Sequence, residues 1–471
     1  MFGTNPQYSE LLKINPFKFS KGVHVLEHID RLVEIFNVCW PMYAAMPAVL
    51  KEALLKAYED CGWDFSTSKN SYDDELFPTF IDLQEELIEV INGSAYSEEV
   101  KSNYMGSLVT RVKSLTNGLN GQIFAANEID NNVLFDKNVV IDLSRIGSLE
   151  TKSLIMGLLI MRLSEHRLTN ASAMNAHFKH MTVLEEAHNI LKRTTTEQNT
   201  ENPNVAGKSV EMISNAIAEM RTYGEGFVIV DQSPSAVDIS AIRNTNTKII
   251  MRLPDESDRR LVGKSAGLKD DQLDEIAKLP KGVAVVYQND WVDPVLCKIQ
   301  KYKGEESQYR YESGIHLNKS TNRLKRNLLG LLLKTRVNNP IDVDISAISE
   351  DLRTAEISSR SKMMLKKLVN EYELRGELSL WNDNNFEKIS KVTSALLNGK
   401  MWIKPIVDTS SEFDVLTDRL MHTINDEVKG LSAEYAIAIA QCLMKAEAEE
   451  SDDYKEIYSA WITNLRNKGV F

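Results

Sequence analysis

Five short runs rich in Val and Ile recur between Asn138 and Gln300, alternating with segments of helical periodicity, and this alternation constrains the fold more than any other feature. The runs are residues 139–143, 181–184, 227–230, 248–251 and 283–287. Near-continuous apolarity over so few residues predicts strands buried on both faces, as in a parallel sheet covered by helices. Helices are expected between them at residues 149–168, 210–223, 256–264 and 269–279. The central stretch therefore reads as α/β.

The flanks read differently. Val25, Ile29, Leu32, Val33 and Phe36, then Ala53, Leu54 and Ala57, fall at helical spacing, and a loop rich in Ser, Asn and Asp follows at residues 66–74. Further helical stretches are expected at residues 81–91 and 97–117. After Gln300 the strand signals stop, and residues from 322 onward read as helices with a basic start (Lys325, Arg326, Lys334, Arg336) and an acidic end at residues 447–456, expected as a solvated face. Three segments are expected: 1–134 with a helical insert, 135–304 as the α/β core, and 305–471 as a helical C-terminal domain.

Composition narrows the class. A chain of 471 residues suggests two or three domains, and 43% hydrophobic with 26% charged residues is ordinary for a globular protein. The longest apolar stretch, residues 154–161, falls short of the roughly 20 residues a membrane span needs. With no signal-peptide pattern at the N-terminus, the expected compartment is the cytoplasm, with no membrane partner. Cys39, Cys61, Cys297 and Cys442 lie far apart without a C-x-x-C pair, so neither a zinc knuckle nor a disulfide framework is signalled. A net charge of −12 excludes a uniformly basic surface, but not a ring with one basic face.

The motif that points most directly to chemistry is Thr182-Val-Leu-Glu-Glu-Ala-His188, an apolar strand ending in two adjacent acids. In P-loop ATPases one acid at a strand tip orients Mg2+ and its water, and a second aligns the water that attacks the γ-phosphate. Glu185 and Glu186 stand at those positions; acids after a strand also serve as helix N-terminal caps. The next strand runs into Asp231-Gln232-Ser233-Pro234-Ser235, which makes Gln232 a candidate γ-phosphate sensor, although Ser-Pro is also ordinary turn punctuation.

These motifs, with Ala218-Glu-Met-Arg-Thr-Tyr-Gly224, Asn244-Thr-Asn-Thr-Lys-Ile-Ile-Met-Arg252 and Leu279-Pro-Lys-Gly-Val-Ala-Val-Val286, resemble the C-terminal half of HerA/FtsK-type ATPases over residues 135–300. Ile14-Asn-Pro-Phe17 and the helical insert resemble the same group, to which type IV secretion ATPases are related. The resemblance implies a RecA-like, mainly parallel sheet flanked by helices. It further implies ATP and Mg2+ as cofactors, a hexameric ring, double-stranded DNA as the translocated partner, and a nuclease or phage-defence effector as associate. By it Glu185 serves Mg2+, Glu186 polarises water and Gln232 reads the γ-phosphate. Arg221 and Arg252 are candidates for arginine contacts to the neighbouring subunit's nucleotide.

One family element departs from the pattern. A phosphate cradle needs G-x-x-x-x-G-K-[ST], whereas Gly207-Lys208-Ser209 and Gly263-Lys264-Ser265 have Asn202 and Asp258 where the first glycine belongs. Both also follow the acid pair, so both read as decoys, and the chain is expected to begin inside the ATPase domain. His24-Val-Leu-Glu-His28 fits a zinc-peptidase pattern but sits in a helix with plain amphipathic spacing, and His177 and His180 read as solvated. Lys192 and Arg193 open a polar segment that reads either as a DNA-contacting pore loop or as a surface loop. The rival readings are a scaffold or regulatory subunit on an ATPase fold, and a secretion-type ATPase.

Overall fold

A computed structural model describes residues 1–171, 175–193, 205–304, 311, 319–355, 357–382, 385–449 and 451–469. Two compact units emerge, one formed by residues 1–56, 84–124 and 128–313, the other by 57–83, 125–127 and 314–471. The strands among the described residues are β1 (Phe2–Gly3), β2 (Glu10–Leu11), β3 (Trp63–Asp64), β4 (Lys69–Asn70), β5 (Ile141–Asp142), β6 (His180–Glu185), β7 (Glu225–Val230), β8 (Thr247–Ile250), β9 (Val283–Gln288) and β10 (Val295–Lys298). Each of the five Val/Ile runs contains or overlaps one of them.

In the first unit β1 pairs in parallel with β2 and β5, and β6 pairs in parallel with β7 from His180↔Glu225 to Glu185↔Val230. The last three strands differ, because β9 runs antiparallel to both β8 and β10. Burial on both faces, expected from apolarity, does not hold for the β6–β7 pair. Along β6, Leu184 is 9% exposed while Met181 and Val183 are 51% and 56% exposed, and Val228 and Val230 on β7 are likewise open. Side chains alternate along a strand, so one face of the β6–β7 pair packs inward and the other, apolar face is uncovered by the described residues.

The helix Leu149–Thr169 meets the turns that flank these strands and bonds the first residue of β7 through Arg167. Ser148 caps it by accepting from the Thr151 amide, Glu150 lies in its first turn, and His166 and Arg167 in its last complement the helix dipole. It packs on the helix Val25–Cys39, whose buried stripe includes Val25, Ile29, Leu32 and Phe36. The approach is close at Gly157, where a Cβ would lie 2.9 Å from Ile35 Cγ2 and 3.2 Å from Ile190 Cδ1. His28, fully buried, spans the two helices, its ring 2.8 Å from Glu165 Oε1 and 3.0 Å from the Pro16 carbonyl. That engagement makes it a core residue, and His24 caps the same helix by accepting from the Leu26 amide.

A buried ionic network anchors the start of β6 and β7. Arg167 donates to Glu225 Oε2 at 2.8 Å and to Asp136 Oδ1 at 2.6 Å, while Glu225 Oε1 lies 2.8 Å from His180 Nδ1 and accepts from Thr182 at 2.7 Å. The expectation of a solvated His180 is thereby corrected: burial of Glu225 leaves it in need of donors, and His180 is one of them. Burial opposes ionisation of Asp136, yet hydrogen bonds from Arg167 and His166 hold it below the usual carboxylate range. Gly224, in the left-handed region at φ 87°, turns the chain into β7 where a Cβ would meet the His177 carbonyl at 2.4 Å.

The second unit is mainly helical around a core that includes Leu328, Leu329, Leu332, Ile348, Leu396, Leu420, Tyr435, Ile439 and Trp461. The predicted loop at 66–74 contains β4 and is closed into a β3–β4 hairpin by Asp64, which accepts from the Ser66 and Thr67 hydroxyls and amides; these bonds lower its pKa to about 2. The basic start of the tail is engaged within the unit: Lys325 pairs with Glu427 at 2.7 Å, Lys334 donates to Tyr372 at 3.0 Å and Arg336 stacks over Phe386. Glu447 corrects the solvated reading of the acidic end, for it is 1% exposed and lies 3.6 Å from Lys404 Nζ.

Replacing Arg167 with Ala strands Glu225 as a buried, under-compensated charge. The expected cost is about 3–5 kcal/mol, measured by urea unfolding of wild type and variant; a difference below about 1 kcal/mol contradicts the role assigned to this network.

Candidate functional site

The parallel register of β6 and β7 places two strand tips side by side. At the end of β6, Glu185 projects with Met181 and Val183 toward the uncovered face. Glu186 follows in a left-handed conformation, φ 52° and ψ 50°, which is uncommon for a residue with a Cβ. A short 3-10 turn, Ala187–Asn189, then carries the chain inward, and Ala187, Ile190 and Leu191 are completely buried. Their burial holds the turn, and the Glu186 carbonyl accepts from the Asn189 amide at 3.0 Å and its side chain at 2.8 Å. Strain of this kind persists where surrounding structure over-determines it, and it concentrates at functional sites.

Across the register, Gln232 Nε2 donates to Glu186 Oε1 at 3.1 Å. Asp231 is buried, its Oδ2 accepting from the His188 amide at 2.9 Å and lying 2.8 Å from His188 Nδ1, its Oδ1 accepting from the Ser233 amide at 2.9 Å. His188 Nδ1 also lies 3.7 Å from Glu186 Oε2. The result is a polar cluster of Glu186, His188, Asp231 and Gln232, with Glu185 next in chain. Two adjacent, exposed carboxylates are oxygen donors of the kind a hard divalent cation such as Mg2+ accepts, and Mg2+ keeps several waters, so one or two protein carboxylates suffice.

Of the residues singled out in sequence, the structure brings Glu186 and Gln232 into contact and leaves Glu185 adjacent. Arg221 and Arg252 are not brought to the cluster. Arg221 lies in the turn before β7, separated from Gln232 by the length of that strand, about 17 Å at ~3.3 Å per residue. Arg252 follows β8 and donates from Nε to the Ala277 carbonyl at 3.0 Å. Lys192 and Arg193 are exposed and tied through backbone pairing to Val237 and Ala236, while the polar segment beyond them, residues 194–204, lies outside the described residues. His188 and Asp231 complete the cluster, although no single motif in the sequence points to them. Adjacent strand tips bearing His and Asp were the available signal, legible only once the register is known.

Both Gly-Lys-Ser sequences lie within helices and not in a strand-to-helix turn. Ser209, in the helix Val205–Glu219, is buried and bonds Glu34; Lys264, in the helix Glu256–Ser265, pairs with Asp270 at 2.7 Å. Neither presents the run of free amides that wraps a phosphate.

No protein-family profile matches the chain. It is 31% identical over 131 residues to the DNA double-strand break repair helicase HerA of Sulfolobus acidocaldarius, which is 28% of this chain and 24% of that protein. It is 26% identical over 191 residues to a probable helicase of Methanocaldococcus jannaschii, 39% of this chain and 35% of that one. The chain thus spans about a quarter to a third of these relatives' length. Among solved structures, VirB4 of Thermoanaerobacter pseudethanolicus aligns over 62% of this chain and 74% of that chain, with 15% identity and a TM-score of 0.45. Over these stretches the chain is similar to curated HerA and probable helicases.

The left-handed backbone at Glu186 yields a direct test. Glu186→Gly is expected to be more stable than Glu186→Val by about 1–2 kcal/mol, read from paired urea unfolding curves. Equal stability would contradict a left-handed residue at this position.

Proposed function

We propose that this chain forms the Walker B half of an ATP-driven motor of the HerA/FtsK type, which translocates or unwinds double-stranded DNA in the cytoplasm as a hexameric ring. The observation that carries the reading is the hydrogen bond between Glu186 and Gln232 at neighbouring parallel strand tips, with Glu186 held in a strained conformation. The names of the relatives, repair and probable helicases, supply the substrate class.

In this reading Glu186 accepts the proton of the attacking water, and Gln232, its bonded neighbour, orients Glu186 until the γ-phosphate competes for the amide. Glu185 would hold the Mg2+ of a bound nucleotide, and that ion would supply neutralisation of the phosphate oxygens. Arg221 and Arg252, remote from the chain's own cluster or anchored on another sheet, act on a neighbouring subunit's nucleotide. The phosphate-holding turn packs on the uncovered apolar face of β6 and β7, because Glu185 shares that face and exposed Met181, Val183, Val228 and Val230 call for a cover. Lys192 and Arg193 contact DNA phosphates. A nuclease or defence effector is the associate proposed for the ring.

The test is ATP turnover and nucleotide binding, with and without double-stranded DNA, by the 471-residue chain joined to a segment that carries a G-x-x-x-x-G-K-[ST] phosphate cradle. Glu186→Gln is expected to lower turnover about 100-fold or more while leaving nucleotide affinity largely intact, and DNA is expected to stimulate the wild type. Turnover retained by the variant overturns the assignment. Failure to bind ATP points to a scaffold subunit, and DNA-indifferent turnover to a secretion-type ATPase.

A further inference from the structure

The motor reading assigns no role to the imidazole and carboxylate that complete the cluster. Asp231 is buried and receives three bonds: the backbone amide and ring Nδ1 of His188 on Oδ2, and the Ser233 amide on Oδ1. An ionised carboxylate only accepts, so the ring nitrogen facing it carries the proton. His188 is therefore held at two points by one oxygen, and its ring orientation is fixed. The same Nδ1 lies 3.7 Å from Glu186 Oε2, while Gln232 bonds the opposite oxygen, Oε1, at 3.1 Å. The Glu186 carboxylate is flanked on both oxygens, by an amide donor on one side and an imidazole N–H edge on the other.

We propose that Asp231 and His188 are positioning residues for Glu186: Asp231 locks the imidazole with its proton on Nδ1, and the locked ring restricts the Glu186 carboxylate to the rotation that keeps Oε1 on Gln232. The backbone alone does not do this, since a left-handed Glu retains free rotation about its side-chain bonds. The inference rests on the motor reading for its kinetic consequence, but its geometric content stands without it.

Three substitutions separate positioning from mere folding. His188→Ala is expected to lower ATP turnover about 10- to 100-fold with little change in KM, the signature of a misplaced group that acts in the transition state. His188→Asn, whose amide nitrogen falls where Nδ1 stood, is expected to restore turnover to within about threefold of wild type. His188→Gln, whose nitrogen falls nearer Nε2, is expected to behave like Ala. Equal rates for Asn and Gln, or wild-type turnover for Ala, overturn the proposal. If Glu186→Gln also leaves turnover untouched, the motor reading has failed instead.

A second measurement needs no turnover. Nitrogen NMR of the histidine-labelled chain, with eight histidines to assign, is expected to show His188 as the Nδ1–H tautomer in the wild type and to lose that signature in Asp231→Asn. An Nε2–H tautomer, or indifference to Asp231, overturns the proposal whatever the fate of the ATPase reading.

Discussion

The parallel, in-register pairing of β6 with β7 sets the geometry on which the site depends, because it brings residues more than forty positions apart to neighbouring strand tips. Glu185 pairs with Val230, so the residues just beyond, Glu186 on one strand and Asp231 and Gln232 on the other, emerge together. A register slip of one residue would reverse which side chains face the covered side and break both the Glu186–Gln232 and the His188–Asp231 contacts. The register is held from the opposite end by Glu225, buried among Arg167, His180 and Thr182. The ionic node at the strand starts and the polar cluster at the strand tips are thus two ends of one rigid element.

That rigidity lets the chain keep Glu186 in a costly backbone conformation. The burial of Ala187, Ile190 and Leu191 pulls the following turn into the core, and an extended or helical Glu186 would not deliver the chain to that turn. Meanwhile the face of β6 and β7 that carries Glu185 is apolar and open among the described residues, a combination at odds with a surface built for water alone. With Leu184 buried on one face and Met181 and Val183 exposed on the other, the strand pair reads as a half-finished layer whose chemistry lies on the unfinished side.

Much of this was legible in the residues. Each apolar run became a strand or contains one, with β6 and β7 each extending beyond the run by a residue or two, and the helix expected at 149–168 ends one residue later. Pairing direction was not legible, since a run such as Lys248-Ile-Ile-Met251 has the same composition whether its partner runs parallel or antiparallel. Nor was the open face: apolarity shows that a surface wants covering, not that something covers it. In the site, the acid pair and Gln232 could be read from type and order. His188 and Asp231 could not, because their partnership is created by register. His180 and Glu447 depart from the solvated reading for a related reason: His180, partly buried, meets Glu225, and Glu447, buried, meets Lys404, each partner brought by a distant segment.

The central claim is that the tips of β6 and β7 are built to act on a triphosphate. It is tested most directly by an experimental structure of the Glu186→Gln chain, joined to a segment that carries a G-x-x-x-x-G-K-[ST] phosphate cradle, prepared with ATP and Mg2+. The account predicts the γ-phosphate lodged beside Glu185, position 186 and Gln232, on the open side of the strand pair. A nucleotide bound elsewhere on the chain, with these strand tips sealed by protein, would contradict it.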